Sequence, residues 1–270
     1  MKIFDRELFK LRANKLPKHL LIEANFLKEE ICNRNAEKLG ELKDNFEVGL
    51  EIGSGIGAFY KTLYDENSEF YNPQKIGKLI QSDFSSNFLN NNPYPNKIEL
   101  DEENIKLKPN SFDIVIVNFA LHNVNNPKDV FKSIYNILKP NGAIVLSIPI
   151  SGSLEKLSEA FFEAEMKLFN GVSPRIHPLT DVKTLGNIVQ SAGFKEITVD
   201  KDKIEIMFKD FYKIFKDLKN SAQNNILSNR NKNYVGKNFF NTVEQIYAKH
   251  KDNQHYPVII EFANLIAWKS

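Results

Sequence analysis

At 270 residues with 42% hydrophobic content, the chain is within the range of a single α/β domain and has enough apolar residues for a sizeable core. Its 36 basic and 34 acidic residues leave a formal charge of +2, so no global field draws it to nucleic acid or an anionic membrane. Cys32 is the only cysteine, which excludes an internal disulfide and a multi-cysteine metal site. We therefore expect one cytoplasmic domain over 1–270. No apolar run suits a membrane span, although a peripheral membrane contact stays open.

The first 45 residues are helical in pattern and predict a cap over a sheet. Strand patterns follow, separated by helical patterns such as 127–138. Their alternation predicts parallel strands with right-handed crossovers. The five strand candidates are 47–52, 77–82, 97–100, 112–118 and 143–149.

Beyond residue 150 the pattern changes. Helices are predicted at 153–169 and 181–191, and an amphipathic helix at 208–219. The remaining apolar segments predict three further strands with helical material between them, a late antiparallel strand among them. These strands are 194–200, 203–208 and 257–269. The domain thus divides into a cap (1–45), a core (46–150) and a substrate side (151–270).

In the segment LEIGSGIG at 50–57, an apolar strand that contains Glu51 leads into Gly53, Gly55 and Gly57. Such a turn lets the backbone approach a nucleotide-like ligand closely. The same glycines loosely match a dinucleotide fingerprint, but Glu51 would repel a pyrophosphate. S-adenosylmethionine carries a cationic sulfonium and an amino group, so the acid favours this cofactor. A structural turn without a ligand remains the alternative.

Four segments in order resemble the class I S-adenosylmethionine-dependent methyltransferases: LEIGSGIG, SDFSSNFL, DEENIKLKPNSFDIV at 101–115 and LKPNG at 138–142. The resemblance implies a Rossmann-like α/β fold. We therefore expect a seven-stranded, mostly parallel sheet with helices on both faces and a helical N-terminal cap.

The resemblance also implies a set of cofactor-binding residues. One carboxylate accepts both ribose hydroxyls, which suits Asp83, and an adenine amino group needs an acceptor such as Asp101. The alternatives are a helix N-terminal acid for Asp83 and a solvated acidic turn for 101–103. The full predicted set is Glu51, Gly53, Ser54, Gly55, Gly57, Asp83, Phe84, Asp101, Glu102 and Asn118.

A closer resemblance covers nearly the whole chain, through IFDRELFKLR, FLKEE, FALHNVNNPKDVF, SPRIHPLTDVKTLGNIVQSAGF and IAWK. These segments resemble bacterial relatives of a mitochondrial respiratory complex I assembly factor. The resemblance implies hydroxylation of an arginine on a complex I subunit, in the bacterial cytoplasm or, for a eukaryotic source, the mitochondrial matrix. Malonyl carrier-protein methyltransferases of biotin synthesis resemble the core more distantly. Methyl transfer to another protein, a small carboxylic acid or a carrier-protein thioester stays open, as does a non-catalytic chaperone.

His122 and Asn118 lie near the expected methyl end of the cofactor and are the candidate catalytic residues. The neutral pKa of histidine makes His122 the better base, with a packing role as the alternative. Asn123 follows it where both families usually have tryptophan. Arg175 is the candidate substrate residue because it suits a carboxylate or an acidic peptide, with a proline-stiffened turn as the alternative. The five histidines include no His-x-Asp pair, so no metal site is predicted.

Overall fold

A computed structural model describes residues 2–233 and 235–270 of the chain. Over these residues, seven strands form one sheet in the order β3-β2-β1-β4-β5-β7-β6. The strands are β1 Phe46–Ile52, β2 Ile76–Asp83, β3 Lys97–Glu99, β4 Phe112–Asn118, β5 Leu138–Pro149, β6 Lys195–Phe208 and β7 Tyr256–Trp268. The helices are α1 Arg6–Ala13, α2 Lys18–Glu23, α3 Phe26–Glu41, α4 Ala58–Tyr64, α5 Ser86–Asn91, α6 Pro127–Ile137, α7 Glu155–Phe169, α8 Val182–Ser191, α9 Phe211–Asn220 and α10 Gly236–Tyr247.

The first five strands pair in parallel, and only β7 runs antiparallel to its two neighbours, β5 and β6. This confirms the predicted seven-stranded, mostly parallel sheet. From β1 the chain builds outward to β2 and β3, then returns to place β4 on the other side of β1. Ligands of open α/β sheets bind at the carboxyl ends of the strands beside such a switch point. The expected site therefore lies where β1, β2 and β4 end.

Both faces of the central strands are covered. On one face α6 and α8 pack against residues such as Leu50 and Val115, and on the other α3 and α4 cover Ile114 and Ile116. Burial on both sides explains why β4 reads FDIVIVN, apolar at nearly every position. A third apolar cluster, which includes Phe211, joins α7, α9 and α10 to β7.

One predicted boundary is wrong. Segments 194–200 and 203–208 form the single strand β6, with no helical material between them. Lys201 and Asp202, which lie between the two predicted segments, continue the strand and pair with Ala263 and Phe262 of β7. Because β6 is the edge of the sheet, polar side chains are tolerated there. The fifth strand is also longer than the predicted 143–149, because β5 begins at Leu138 directly after α6. Its pairing with β4 contains a register irregularity.

Candidate functional site

Three glycines form the turn that follows β1. Gly53 and Gly57 have positive φ angles of +72° and +91°. An added Cβ at Gly53 would lie 2.5 Å from the Cβ of Ala120, and one at Gly57 would lie 2.6 Å from Oδ1 of Asn92. A side chain at either position would be both strained and obstructed. The turn therefore keeps a bare backbone at the carboxyl end of the sheet.

Glu51 is fully buried one residue before the end of β1. Its Oε1 accepts a hydrogen bond from Nδ2 of Asn118 at 3.1 Å, whereas its buried Oε2 has no partner among the residues that the structure describes. Burial raises the pKa of Glu51 to about 7, although the nearby positive charge of Lys28 acts in the opposite direction. A cation or a hydrogen-bond donor at Oε2 would satisfy this group.

A line of buried polar side chains fixes Asn118, the last residue of β4. Nδ2 of Asn35 donates to Oδ1 of Asn118 at 2.6 Å, and the hydroxyl of Ser147 donates to Oδ1 of Asn35 at 2.8 Å. The side-chain oxygen of Asn118 therefore accepts a hydrogen bond from Asn35 of α3, and its amide nitrogen donates one to Glu51. This geometry makes Asn118 a positioning residue for Glu51. Sequence reasoning missed Asn35, although a polar residue four positions from Ile31 and Leu39, on an apolar helix face, was a usable signal.

Asp83, the last residue of β2, joins its strand to the glycine turn. One carboxylate oxygen accepts from the backbone N–H of Gly55 at 2.8 Å and the other from that of Ser85 at 2.9 Å. Burial raises the pKa of Asp83, while these bonds and Lys28 favour the ionised form. Each oxygen keeps a further lone pair, so the carboxylate is still able to accept from a ribose diol.

Lys28 brings a positive charge to these two acids. Its Nζ donates to the carbonyl oxygen of Gly53 and would lie 3.2 Å from a Cβ added at Gly55. The ammonium group thus lies on the glycine turn, within electrostatic reach of Glu51 and Asp83. Sequence reasoning used FLKEE only as a family signature, and nothing local in that segment pointed to the turn.

Arg6 of α1 engages the acidic turn after β3. Its Nη2 lies 2.8 Å from Oδ1 of Asp101 and also pairs with Glu102. The same guanidinium lies 4.6 Å above the ring of Phe84. Burial raises the pKa of Glu102, which Arg6 opposes. Three predicted cofactor residues are therefore held together by an arginine that sequence reasoning left without a role.

A cavity of about 420 Å³ extends from the glycine turn to α9 and α10. Arg6 and Lys28 line it at the glycine-turn end. Of the predicted site residues, those that line it are Gly53, Gly55, Asp83, Glu102, His122 and Arg175. The predicted residues that do not line it are Glu51, Ser54, Gly57, Phe84, Asp101 and Asn118. Half of the predicted site residues thus line the cavity, and Arg175 reaches it from the loop after α7.

His122 follows β4 and is held by the turn after α9. Its Nε2 lies 2.8 Å from Oε1 of Gln223, and burial lowers the pKa of His122 to about 4. A second histidine, His177, accepts from the backbone N–H of Ile226 at 3.2 Å, and burial lowers its pKa to about 4 as well. Both imidazoles are neutral at physiological pH. His122 is therefore a weaker base than an ordinary histidine.

Arg175 is paired within the protein. Its Nη2 lies 2.6 Å from Oε1 of the buried Glu165, and its guanidinium lies 4.3 Å from the ring centre of Phe239. Glu165 also accepts from the backbone N–H of Ser173 at 2.6 Å. The pair anchors the SPRIHP loop to α7 while one side of Arg175 faces the cavity.

Neither a metal-binding cluster nor a membrane-spanning helix is found among the residues that the structure describes. Among them, no three His, Cys, Asp or Glu side chains are grouped so as to hold a metal ion. No helix within those ranges is long and apolar enough to cross a bilayer.

The residues at the glycine-turn end fit S-adenosylmethionine. The buried carboxyl of Glu51, although it does not line the cavity, suits the cationic methionine half electrostatically, the carboxylate of Asp83 suits the ribose, and the bare turn leaves room for close approach. Within the described part of the chain, the buried hydroxyl of Ser54 has no hydrogen-bond partner. When bound, this cofactor supplies an electrophilic methyl group.

Comparison with known proteins agrees with this interpretation. A family model described as a methyltransferase domain matches residues 24–199. The mitochondrial arginine-hydroxylase NDUFAF5 of Rattus norvegicus is 30% identical, over 100% of this chain and 78% of its own length. A malonyl-[acyl-carrier protein] O-methyltransferase of Gallionella capsiferriformans is 26% identical, over 90% of this chain and 84% of its own.

The fold also matches a solved structure. The YcgJ protein of Bacillus subtilis superposes with a TM-score of 0.59 at 10% identity, covering 87% of this chain and 98% of that one. This likeness concerns the fold alone, whereas the sequence matches concern the family. Both predicted resemblances are confirmed. The chain belongs to the methyltransferase-domain family, groups with the NDUFAF5 proteins, and is an enzyme of the S-adenosylmethionine-dependent methyltransferase superfamily.

Proposed function

We propose that this enzyme modifies an arginine side chain of a protein, the residue type named for its NDUFAF5 relatives. A subunit of respiratory complex I is the proposed partner, in the bacterial cytoplasm or the mitochondrial matrix. The supporting observation is that the full-length match includes the parts of the chain that build the cavity. These parts are the N-terminal helices, which contribute Arg6 and Lys28, and α9 and α10.

The proposed cofactor contacts follow from the site geometry. Glu51 and the glycine turn bind the methionine half, Asp83 the ribose, and Asp101 with Glu102 the adenine. Asn118 acts by orienting Glu51. His122 lines the cavity and is held by Gln223, which suits a role in shaping the acceptor end.

A small carboxylic acid or carrier-protein thioester is the second candidate acceptor, because of the malonyl carrier-protein relative. The state of Arg175 weakens this candidate. Arg175 is paired with Glu165, whose side chain is only 3% exposed, so a carboxylate acceptor would have to compete with a buried partner.

The test is peptide mass spectrometry of complex I subunits from cells with and without the gene. An arginine that gains one oxygen atom identifies hydroxylation, and one that gains a methylene group identifies methyl transfer. If no arginine differs between the two cell lines, the proposal is wrong. Asp83→Ala should abolish the modification together with cofactor binding measured by calorimetry, whereas Asp252→Ala, at an exposed position, should not. Normal complex I assembly with Asp83→Ala would instead support the non-catalytic chaperone.

A further inference from the structure

The α9 end of the cavity is formed by the last turn of α9 and the residues after it. Asp217, Asn220 and Asn224 line the cavity there. Asp217 is buried, and Nζ of Lys213 lies 2.6 Å from its Oδ1. No hydrogen bond from a described residue reaches its other oxygen. Lys213 is 41% exposed, so it approaches the carboxylate from the solvent side.

Several buried amide atoms of residues that line the cavity have no hydrogen bond with any residue that the structure describes. Asn220 is only 2% exposed, yet its Nδ2 has no partner among the described residues. The buried Oδ1 atoms of Asn224 and Asn123 also lack donors. Native proteins rarely leave such groups unsatisfied, since each costs desolvation free energy. A ligand that brings hydrogen-bond donors would satisfy the two oxygen atoms, whereas Nδ2 of Asn220 is itself a donor and needs an acceptor.

The charge of this end favours a cation. Asp217 carries the only charge among the α9 residues that line the cavity, since Lys219 of the same turn is exposed and is not part of the lining. A carboxylate or phosphate ligand would be repelled by the charge of Asp217. Arg175, which lines the same cavity, is already neutralised by Glu165 and does not reverse this preference.

Among cations, a guanidinium best suits the several hydrogen-bond acceptors and the aromatic walls of the cavity. A guanidinium has five N–H donors in one plane, whereas an ammonium is a compact point charge with three. Phe215 and Phe240 line the cavity, with ring centres 5.3 Å apart, and aromatic faces stack well on guanidinium planes. This protein already stabilises one guanidinium in this manner, since Arg175 lies between the carboxylate of Glu165 and the ring of Phe239.

We propose that Asp217, with the amide oxygens of Asn123 and Asn224, binds the guanidinium of the acceptor arginine. This subsite rests on the proposed function and assigns the acceptor end of the cavity. Asp217 supplies the charge, and the two unpartnered amide oxygens supply the remaining contacts.

The experiment is calorimetric titration of the full chain, saturated with S-adenosylhomocysteine, with Nα-acetyl-arginine N-methylamide. The citrulline counterpart has nearly the same shape without the charge, and the lysine counterpart has the charge without the planar fork. We expect saturable binding of the arginine compound and about tenfold or greater weakening for each counterpart. No binding of the arginine compound, or equal binding of the citrulline compound, would overturn the subsite.

Two variants separate binding from structure. Asp217→Asn and Lys213→Met both remove the ion pair between these two side chains, but only the first removes the proposed ligand for the guanidinium. Asp217→Asn should weaken arginine binding about tenfold or more, while Lys213→Met should bind at least as tightly as the parent. S-adenosylhomocysteine affinity should be unchanged in both. Equal losses in the two variants would show a structural role and refute the assignment.

The two proposals fail in different ways. If the arginine compound binds through Asp217 but cells show no modified arginine, the subsite stands and the proposed function falls. If modified arginine is found but Asp217→Asn changes neither binding nor modification, the function stands and this subsite is wrong.

Discussion

Cofactor affinity should depend on pH through Glu51. Burial raises the pKa of this carboxyl to about 7 from a usual value of 4.5. S-adenosylmethionine would bring a sulfonium and an ammonium charge to the site, and both favour the ionised carboxylate. Below pH 7, binding must therefore release the proton of Glu51, at a cost in affinity.

The size of the effect follows from this pKa. With a value of about 7, about one tenth of the free protein carries ionised Glu51 at pH 6 and about nine tenths at pH 8. The dissociation constant should thus be about tenfold larger at pH 6 than at pH 8, with about one proton released per cofactor bound at the lower pH. The histidines of the cavity, with pKa values of about 4, stay neutral over this range.

Ionisation of Glu51 should also affect the stability of the free protein, and this effect should depend on pH in the opposite direction to cofactor affinity. A carboxyl whose pKa is raised by folding binds more protons in the native state, so its contribution to stability falls as pH rises from 4.5 to about 7. His122 and His177, whose pKa values are lowered to about 4, oppose this by adding stability as pH rises from 4 towards 6.5. The contribution of Glu51 is therefore obtained as a difference between the parent and Glu51→Gln.

Isothermal titration calorimetry tests both numbers. Titrations at pH 6 in buffers with different ionisation enthalpies count the protons released, and a series to pH 8 gives the change in affinity. Glu51→Gln should lose the proton release and the pH dependence, whereas Glu37→Gln, at an exposed position of α3, should keep both. If the parent and Glu51→Gln show the same pH dependence, Glu51 does not titrate at the cofactor site.

Three further variants test the surroundings of the site. Gly53→Ala places a Cβ 2.5 Å from another side chain at a φ of +72°, so it should lose about 2 kcal/mol or more of unfolding free energy in urea titrations, whereas Gly186→Ala, in open space within α8, should gain about 0.5–1 kcal/mol. Equal effects would refute the account of the turn. Arg175→Ala leaves a buried carboxylate unpaired and should cost about 3–5 kcal/mol, against less than about 1 kcal/mol for Lys249→Ala in an exposed pair. If Arg175→Ala lowers the unfolding free energy only slightly, the SPRIHP loop must rearrange to fill the space left by the side chain. Lys28→Met removes a charge that lowers the pKa of the buried acids, so the pH at which cofactor affinity levels off, measured by calorimetry, should rise. An unchanged pH would contradict the electrostatic coupling.

The sequence predicted the carboxyl edge of the sheet well because its signals are local. Glu51 and Asp83 each lie at the end of an apolar strand, and parallel strands bring such ends to one edge. The glycine turn was equally readable, since close backbone approach requires glycine at specific positions. These features needed only the strand pattern and the strand order of the family.

The partners of those residues were not predictable in the same way. Arg6 contacts Asp101 across 95 positions of chain, and Asn35 reaches Asn118 across 83. Such contacts depend on how the N-terminal helices dock on the sheet, which periodicity does not specify. The single strand β6 was missed for a related reason, because its polar residues are stabilised by pairing with β7, more than fifty positions away.

The N-terminal helices are therefore part of the site and not only a cover over the sheet. Helix α1 contributes Arg6 to the acidic turn, and α3 contributes Lys28 to the glycine turn and Asn35 to the polar line that orients Glu51. Without these helices, several buried carboxylates would lose their nearest positive charge. A buried charge without a partner strongly destabilises the folded protein. The family match at 24–199 covers α3 but neither Arg6 nor α9 and α10. Since those outer segments line the cavity, the differences that set the acceptor within this family are expected to lie there, outside the shared core.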